Sequence, residues 1–418
     1  MQANETVELT GHLVDSGLLS RILDDIGEYG GDFTIDRFDV GHGSADESYA
    51  KITVSADDGR ALARLLMRLQ THGANLVDPG EAVVRRAERD GVFPDDFYST
   101  TNLDTVVHID GEWIEVEQPE MDCGLLVWDD AGRTRVRTIP VSEVEAGARV
   151  VCGAAGVRVQ KTSRGDVGDQ VFEFMNSEVS SEKPQALLVH QIADQMRAVK
   201  GAGQRILWVA GPAVVHTGAA PAMVALVRAG YVDVLFGGNA IATHDIEAAM
   251  FGTSLGVDLA QGRGVEHGHE HHIRAINRIR GCGSIRAAVE QGVIAQGVMH
   301  ALVVHDKDYV LVGSVRDDGP LPDVYTDVIE GQRAMRAQLH DVGYAIMVAT
   351  ILHSVATGNI LPASIPLVGV DINPATVTKL ADRGSAQARG IVTDIGLFLE
   401  QLAFELVPDY RTQPDAGR

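Results

Sequence analysis

The chain has 418 residues, of which 45% are hydrophobic and 22% are charged, so it is long enough for two or three domains with buried cores. Its 58 acidic and 35 basic residues give a formal net charge of −23, which opposes binding to a phosphate backbone and argues against a nucleic-acid partner. The 45 glycines are typical of an α/β protein with many tight turns.

The cysteines and the apolar segments bear on the compartment. Cys123, Cys152 and Cys282 are far apart and form no CxxC pair, so we expect free thiols rather than a disulfide framework or a thiolate zinc site. The N-terminal segment has no basic region followed by an apolar one, and no stretch approaches about 18 consecutive apolar residues. The sequence therefore predicts a cytoplasmic protein that has no membrane partner.

Residues 1–90 alternate as strand, helix, strand, strand, helix, strand. The first strand is predicted in ETVELTGHLV and the first helix from Leu18 to Tyr29. The segments DFTIDRFDV and SYAKITVSA follow as alternating strands, and DGRALARLLMRLQTHGA is an amphipathic helix that ends near Gly73. This order predicts a ferredoxin-like α+β domain.

Residues 91–185 are rich in short strand patterns, such as TVVHIDGEWIEVE and TRVRTIPV. Asp110 and Gly111 are a hairpin signal between two of them. We expect a small β-rich domain, barrel-like or a sandwich, with a linker at residues 176–184.

Residues 186–418 alternate between apolar runs and helical patterns. Strands that are apolar along their whole length indicate a parallel sheet buried on both faces, and so a C-terminal Rossmann-like domain in an overall α/β protein. The predicted strands are 206–211, 232–238, 300–305, 309–314, 344–350, 366–371 and 390–394.

Ligands of such a sheet bind beyond the carboxyl ends of its strands. The run Gly237, Gly238, Asn239, Ala240 follows one strand and opens a helix, whose N–H groups can hold a pyrophosphate. The structural alternative is a glycine turn in which Asn239 caps the helix.

Acidic residues end two later strands. Asp371 precedes a helix with Asn373 as N-cap, Pro374 at its first position and Gly384 as its stop, and Asp394 recurs on the next unit. A strand-end carboxylate is the group that accepts hydrogen bonds from an adenosine ribose; a solvated turn is the alternative. The usual GxGxxG fingerprint is absent.

Two further strand-end loops carry groups suited to an amino-acid substrate. Arg316 lies in a loop from Ser314 to Asp323 with three carboxylates, where it can pair with a substrate carboxylate, although an exposed charged turn is also consistent. His353 ends the turn from Thr350, and is either an acid/base group or a core or capping histidine.

Four histidines stand close together, at His267, His269, His271 and His272. No carboxylate or cysteine at helical spacing accompanies them, and no HExxH pattern is present. We therefore expect no metal site and interpret the run as a solvated helix start.

Long segments along the chain resemble one family. They are GHLVDSGLLSRILD, GGDFTIDRFDVG, FYSTTN, GEWIEVEQPEMDCG, FEFMNSEVSSEKP, GPAVVHTGAAPAMVALVRAGYVDVLFGGNAIATHDIEAAMFGTSLGVDL, GSVRDDGPLPDV, ATILHSVATGNILP and VDINPATVTKLADRGSAQARGIVTDIGLF. These segments resemble the archaeal-type ornithine cyclodeaminases and the C-terminal part of the cyanobacterial arginine dihydrolase/ornithine cyclodeaminases, whose first portion is the LOR/SDH conserved domain. The likeness runs from about residue 7 to 405 and does not imply arginine hydrolysis.

The resemblance implies conversion of L-ornithine to L-proline and ammonia with recycled NAD, in a homo-oligomer. It nominates His353 or Asp318 for proton transfer and Arg316 for the substrate carboxylate. The cofactor residues that it implies are Asn239, Ala240, Asp318, Thr350, Ile351, Leu352, His353, Asp371, Ile372, Asp394 and Ile395.

Two other functions remain open at this point. One is an NAD enzyme that acts on a different amino or imino acid, of the lysine or saccharopine type. The other is a non-catalytic sensor of NAD or an amino acid, because a ferredoxin-like domain can bind amino acids for regulation.

Overall fold

The computed structural model describes residues 3–14, 17–41, 46–160, 185–254, 257–258, 270–317, 319–383 and 388–410. The chain divides into two compact units, Met1–Asn176 with Asn359–Ser364, and Ser177–Gly358 with Ile365–Arg418. Among the described helices, none combines the length and apolar character that crossing a membrane requires. The predicted linker at residues 176–184 lies outside the described residues.

The first unit begins with a four-stranded antiparallel sheet in the order β2-β3-β1-β4, backed by two helices. Ile22 and Ile26 of the first helix and Leu65 and Leu69 of the second are fully buried in its core. This connectivity and strand order confirm the predicted ferredoxin-like domain. The elements are β1 (Ala3–Gly11), α1 (Leu18–Glu28), β2 (Asp32–Asp39), β3 (Ser48–Ala56), α2 (Gly59–Gln70) and β4 (Asn75–Leu76).

The second part of this unit is a seven-stranded sheet in the order β11-β6-β7-β9-β8-β10-β5. Asp110 and Gly111 both have positive φ, of 53° and 81°, and form the predicted hairpin turn. The N–H of Ala82, just before the edge strand β5, donates to the carbonyl of His108 in β6, the second strand from the opposite edge, so the sheet curls round as in a barrel. The elements are β5 (Val83–Arg86), β6 (Thr105–Ile109), β7 (Glu112–Glu117), β8 (Gly124–Asp130), β9 (Arg133–Ile139), a 3₁₀ turn (Val141–Glu143), β10 (Arg149–Cys152) and β11 (Val157–Val159).

The second unit is built on a seven-stranded sheet in which every strand pair is parallel. Its elements are α3 (Gln185–Gly201), β12 (Arg205–Ala210), α4 (Ala213–His216), α5 (Ala220–Arg228), β13 (Val234–Gly237), α6 (Asn239–Phe251), the antiparallel pair β14 (Thr253–Ser254) and β15 (Val257–Asp258), α7 (His271–Cys282), α8 (Ile285–Glu290), α9 (Val298–Val304), β16 (Asp308–Val312), β17 (Val324–Tyr325), α10 (Val328–Ala337), β18 (Val342–Val348), α11 (Leu352–Ile360), β19 (Leu367–Asp371), α12 (Pro374–Arg383), β20 (Ala388–Val392) and α13 (Ile395–Leu406).

The strand order of this sheet is β17-β16-β13-β12-β18-β19-β20. The chain builds outwards from β12 in one direction, then returns and builds from β18 in the other, which is the doubly wound Rossmann-like arrangement that the sequence predicts. The central strands are buried on both faces: the consecutive residues Leu207 and Trp208 of β12 point to opposite faces, and neither has any exposed area.

Two elements of this unit differ from the sequence-based prediction. Residues 300–305, predicted as a strand, lie in helix α9 and the residue after it. Every apolar side chain from Val298 to Val303 is buried, so the run has no polar face from which its period can be read. The carboxylate of Asp245 accepts the N–H groups of Val298 and Met299 at 2.8 and 2.7 Å, which stabilises the helix start. The edge strand β17 was missed because it has only two residues.

Candidate active site

The switch point of the sheet lies between β12 and β18, where the strand order reverses. Gly211 follows β12 and Ala349 follows β18, and these two loops approach each other closely. A Cβ atom on Gly211 would stand 1.9 Å from the carbonyl oxygen of Ala349, so only glycine fits there. Ala349 itself has a φ of 53°, an uncommon conformation for a residue with a side chain. The two loops therefore pack directly against each other at the place where doubly wound sheets bind ligands.

The N-terminus of α6 opens at the same edge of the sheet. Its N-cap is the extended Gly238, and no described side chain caps the first turn. The interpretation of Asn239 as the helix cap is wrong, because its Oδ1 instead accepts the N–H of Leu321 at 3.0 Å and the hydroxyl of Thr243 at 3.2 Å. Ala240 is exposed. The uncapped first turn leaves N–H groups that can bind an anion.

Each of the two strand-end acids, Asp371 and Asp394, accepts one backbone N–H through its side chain. Asp371 ends β19, and its Oδ1 accepts the N–H of Asn373 at 2.8 Å. Asn373 in turn accepts the N–H of Ala375, so α12 begins at Pro374 as predicted; Gly384 lies outside the described residues. The second oxygen of Asp371 has no partner among the described residues, and it is therefore available to a ligand. Ile372, next in the chain, has 70% of its surface exposed.

Asp394 is the N-cap of α13, and its Oδ1 accepts the N–H of Leu397 at 2.9 Å. This bond stabilises the helix, so Asp394 has a structural role that the sequence analysis did not assign. The side chain of Ile395 is buried in the core, with 4% of its surface exposed. If Ile395 contacts the cofactor, it does so through its backbone atoms.

His353 stands at the start of α11, beside the loop that opens α6. A Cβ on Gly238 would lie 3.0 Å from its Cε1, and its Nε2 lies 3.3 Å from the carbonyl oxygen of Val312. A carbonyl only accepts, so Nε2 carries the proton and Nδ1 keeps a lone pair. Burial lowers the pKa of His353, against opposing effects of Val312 and Asp317, so the ring is neutral at pH 7. In the turn that leads to His353, Thr350 is half-buried, and the next two residues, Ile351 and Leu352, are exposed.

The loop after β16 presents Arg316 as an exposed side chain. Asp317 accepts the N–H of Ser314 at 2.7 Å, and Asp323 accepts the N–H of Ile285 and the hydroxyl of Tyr309 at 2.8 and 2.9 Å. Within the described part of the chain, the Arg316 guanidinium has no hydrogen-bond or ion-pair partner. Asp318 lies outside the described residues.

A group of buried polar side chains beside this edge was missed by the sequence analysis. His244 donates from Nδ1 to Glu247 at 2.8 Å, and Thr253 donates to the other oxygen of Glu247 at 2.9 Å. His216 Nδ1 lies 2.6 Å from Ser254 Oγ. The signal available in the sequence was a histidine and a glutamate three positions apart on one helix.

The histidine run predicted as a solvated helix start is only partly of that kind. His272 is exposed, whereas His271 is half-buried and its Nδ1 lies 2.8 Å from Thr253 Oγ1. His267 and His269 lie outside the described residues. The described residues contain no group of three His, Cys, Asp or Glu side chains arranged to hold a metal ion.

Comparison with known families and proteins accounts for almost the whole chain. Residues 4–103 match the LOR/SDH bifunctional enzyme conserved region, residues 104–189 the first C-terminal region of the arginine dihydrolase ArgZ-like proteins, and residues 190–402 their C-terminal Rossmann fold. An ornithine cyclodeaminase of Methanothermobacter thermautotrophicus is 52% identical over 400 residues, which are 96% of this chain and 97% of that protein. The chain belongs to the ornithine cyclodeaminase family that carries the ArgZ-like C-terminal region.

Solved structures of two members of the wider family resemble this one. The apo crystal structure of ArgZ, an arginine dihydrolase from the ornithine-ammonia cycle in cyanobacteria, has a TM-score of 0.84 and 36% identity over 97% of this chain and 58% of its own. The ternary complex of AgrE with ornithine and NAD+ has a TM-score of 0.53 and 39% identity over 99% of this chain and 59% of its own. This family member therefore spans somewhat more than half the length of each.

Proposed function

We propose that this protein is an NAD-dependent ornithine cyclodeaminase that converts L-ornithine to L-proline and ammonia. The observation that carries the proposal is the similarity to AgrE, which crystallised with ornithine and NAD+ and aligns over 99% of this chain. The archaeal relative named ornithine cyclodeaminase, which matches over 96% of the chain, supports the same reaction.

The strand-end loops carry groups that suit NAD. Glycine at residue 211 lets the loops after β12 and β18 meet at the switch point, where doubly wound sheets bind dinucleotides. In this proposal the first turn of α6, including Asn239 and Ala240, faces the pyrophosphate. The free oxygen of Asp371 accepts hydrogen bonds from the adenosine ribose, beside the exposed Ile372.

The remaining cofactor residues follow from the same edge of the sheet. The turn from Thr350 to His353 lies at the switch point, and Asp394 with the backbone of Ile395 follows the outermost strand, β20. We assign Asp318 to the cofactor and to proton transfer on the strength of the family resemblance.

NAD+, when bound, supplies reversible hydride exchange with Cα of ornithine, so it is recycled within each turnover. The chain's own groups bind and orient the substrate and move protons. Arg316 presents an exposed guanidinium, which has no partner among the described residues and can match a carboxylate in a bidentate pair. His353 is neutral, and its Nδ1 lone pair can accept a proton from an ammonium group.

The function is tested by incubating the purified protein with L-ornithine and measuring proline and ammonia. We expect equal amounts of both and a flat absorbance at the NADH band. Net NADH formation, or turnover of lysine or saccharopine instead, indicates an amino-acid dehydrogenase; binding of NAD and ornithine without any product indicates a sensor.

We also propose that the enzyme works in the cytoplasm. Cys123 and Cys152 are buried and form no disulfide in the described part of the chain, which is typical of a reducing compartment.

We further propose that the enzyme is a homo-oligomer, with three domains at residues 1–90, 91–185 and 186–418. Strand β5 pairs with β10 in the second sheet, although it precedes residue 91. Size-exclusion chromatography with light scattering tests the oligomeric state.

A further inference from the structure

Two imidazole rings face each other inside the second unit, next to the carboxyl edge of its sheet. The ring centroids of His216 and His244 are 4.9 Å apart, in an edge-to-face arrangement. His216 ends α4, which follows β12 directly at the switch point. His244 lies five residues into α6, about 7.5 Å along the helix axis from its first residue.

The protein fixes one nitrogen of each ring and leaves the other unbonded. Glu247 is fully buried, and a carboxylate only accepts, so His244 Nδ1 carries a proton and its Nε2 keeps a lone pair. Ser254 beside His216 Nδ1 both donates and accepts, so it suits either tautomer of that ring. Neither Nε2 atom has a hydrogen-bond partner among the described residues.

The surroundings of His216 favour its neutral form. Burial lowers the pKa of His216, as does the neighbouring His244, while Glu247 raises it. The Glu247 carboxylate is held by His244 and by the Thr253 hydroxyl, which also receives a hydrogen bond from His271 of α7. A carboxylate that orients a histidine and stabilises its cation is a common device of general-base catalysis.

The proposed reaction needs two protons to be removed and returned. Ornithine enters with two ammonium groups. The α-nitrogen must lose a proton before hydride leaves Cα, and the δ-nitrogen must lose one before its lone pair attacks the resulting iminium carbon. After the attack the ring nitrogen carries two hydrogens and a positive charge, so it must pass one proton to the α-amino group before the C–N bond can break and ammonia can leave. Once hydride has returned to Cα, the two protons removed at the start are given back, one to ammonia and one to the ring nitrogen of proline. The net change, ornithine cation to zwitterionic proline plus ammonium, consumes no proton.

We propose that His216 and His244, oriented by Ser254 and Glu247, form a paired base that accepts the two ammonium protons of the diamino-acid substrate and gives them back to ammonia and proline. This inference rests on the proposed function. It adds a proton-transfer site to the one proposed at His353, which lies beside Gly238 at the start of α6, and it gives the buried Glu247 a role.

The sharpest test is Glu247→Gln. The amide still accepts from Thr253 and donates to His244 Nδ1, so packing and both hydrogen bonds are kept. The tautomer of His244 is reversed, however, and its Nε2 now carries the proton. We expect kcat for ornithine to fall about 100-fold or more while NAD affinity and melting temperature stay close to those of the wild type.

The pH profile separates catalysis from a structural role. Among the described residues, the titratable groups that contact His244 are Glu247 of α6, His216 of α4 and His272 of α7; His271 of α7 bonds to Thr253, which holds Glu247. Loss of the Glu247 charge removes an effect that raises the pKa of His216, so the acidic limb of kcat should shift to lower pH in Glu247→Gln. A purely structural defect lowers kcat without moving that limb.

Two further variants complete the experiment. His216→Gln removes the half-buried ring and should also lower kcat. This variant tests the paired base independently if Glu247→Gln does not fold. His190→Gln is the matched control, because His190 Nδ1 also pairs with a glutamate, Glu405 at 3.2 Å, on an exposed surface of the same unit. We expect His190→Gln to retain wild-type kcat.

The outcomes distinguish this inference from the proposed function. A wild-type protein that makes no proline from ornithine overturns the function itself. A wild-type protein that makes proline, with Glu247→Gln and His216→Gln both folded and active within about threefold of it, overturns only the paired base.

Discussion

Arg316 has two possible roles: it binds the substrate carboxylate, or it forms a structural ion pair with a neighbouring aspartate. The sequence left open a structural pairing with Asp317 or Asp323, but both carboxylates accept hydrogen bonds from other groups. Arg316→Lys keeps the charge and loses the planar fork that binds a carboxylate with two bonds. We expect the ornithine KM to rise by about tenfold or more, with NAD affinity and melting temperature unchanged.

The control for this variant is Arg333→Lys, an exposed arginine of α10 paired with Glu330. It should leave the ornithine KM as it is. If Arg316→Lys has a normal KM, Arg316 does not bind the substrate carboxylate; if it melts at a lower temperature with and without ornithine, its role is structural.

Asp371 offers one free carboxylate oxygen to a ligand. Asp371→Asn keeps the hydrogen bond from Asn373 and removes the charge, whereas Asp371→Ala removes both. A charge-assisted hydrogen bond contributes about 1.5–3 kcal/mol, so we expect Asp371→Ala to weaken NAD binding about 10- to 150-fold, measured by calorimetry. Wild-type affinity in both variants would place the ribose elsewhere.

At this scale the sequence found the strand-end residues but not their partners. Asp371, Asp394 and His353 could be located because each follows an apolar run that ends at a predictable edge. Asn239 accepts the N–H of Leu321, which lies 82 residues further along the chain, and the His216 ring contacts the His244 ring. Both contacts depend on tertiary packing, which a local sequence pattern cannot predict.

Helix α13 makes Asp394 both a cap and a proposed cofactor contact, and these two roles can be separated. Serine is as good an N-cap as aspartate, so Asp394→Ser keeps the bond from Leu397 and loses the charge. We expect its melting temperature to match the wild type and its NAD affinity to fall several-fold. Asp394→Ala should also lose about 1 kcal/mol of stability, measured by urea unfolding.

The crossing of the β12 and β18 loops requires glycine at residue 211. In Gly211→Ala the added methyl group would overlap the carbonyl of Ala349, so one loop must move. We expect a lower melting temperature and at least tenfold weaker NAD binding, because the proposed cofactor site lies where these two loops meet. Gly201→Ala, where the new Cβ meets no atom within 4 Å, should change neither quantity.

Elements with a clear period were predictable, and short buried ones were not. The first two helices were found because their polar and apolar faces alternate with a helical period. Helix α9 was mistaken for a strand because its polar face is missing, and the bond from Asp245 that fixes its start is made by a side chain 53 residues away. The two-residue strand β17 is defined only by its pairing with β16.

The whole molecule carries a formal charge of −23, and its sequence pI is about 5.0. Acidic groups repel one another in the compact state, and salt screens that repulsion over about 10 Å at 0.1 M. We expect the melting temperature at pH 7.5 to rise between 10 mM and 0.5 M sodium chloride. At pH 5.0, where the net charge is near zero, the same change should have little effect; an equal rise at both pH values argues against charge repulsion.

The fold class was predictable at this scale because it follows from the alternation of elements. The order strand, helix, strand, strand, helix, strand at the start and the repeated strand-helix units after residue 186 each correspond to few topologies. The barrel-like meeting of β5 and β6 in the second sheet was left open, because its decisive bond joins Ala82 and His108 across the domain.

The sheet order also has a consequence during synthesis. β12 pairs with β18 in a register that joins Arg205 to Val342, so 342 − 205 = 137 residues separate the two central strands. At a translation rate of about 5–20 residues per second, β12 waits roughly 7–27 s for its partner. Throughout that interval the nascent half-sheet exposes an apolar strand edge, which other chains or chaperones can bind, and the switch point at which we propose that NAD binds does not yet exist. The ribosome must therefore have made most of the enzyme before the cofactor can assist its folding.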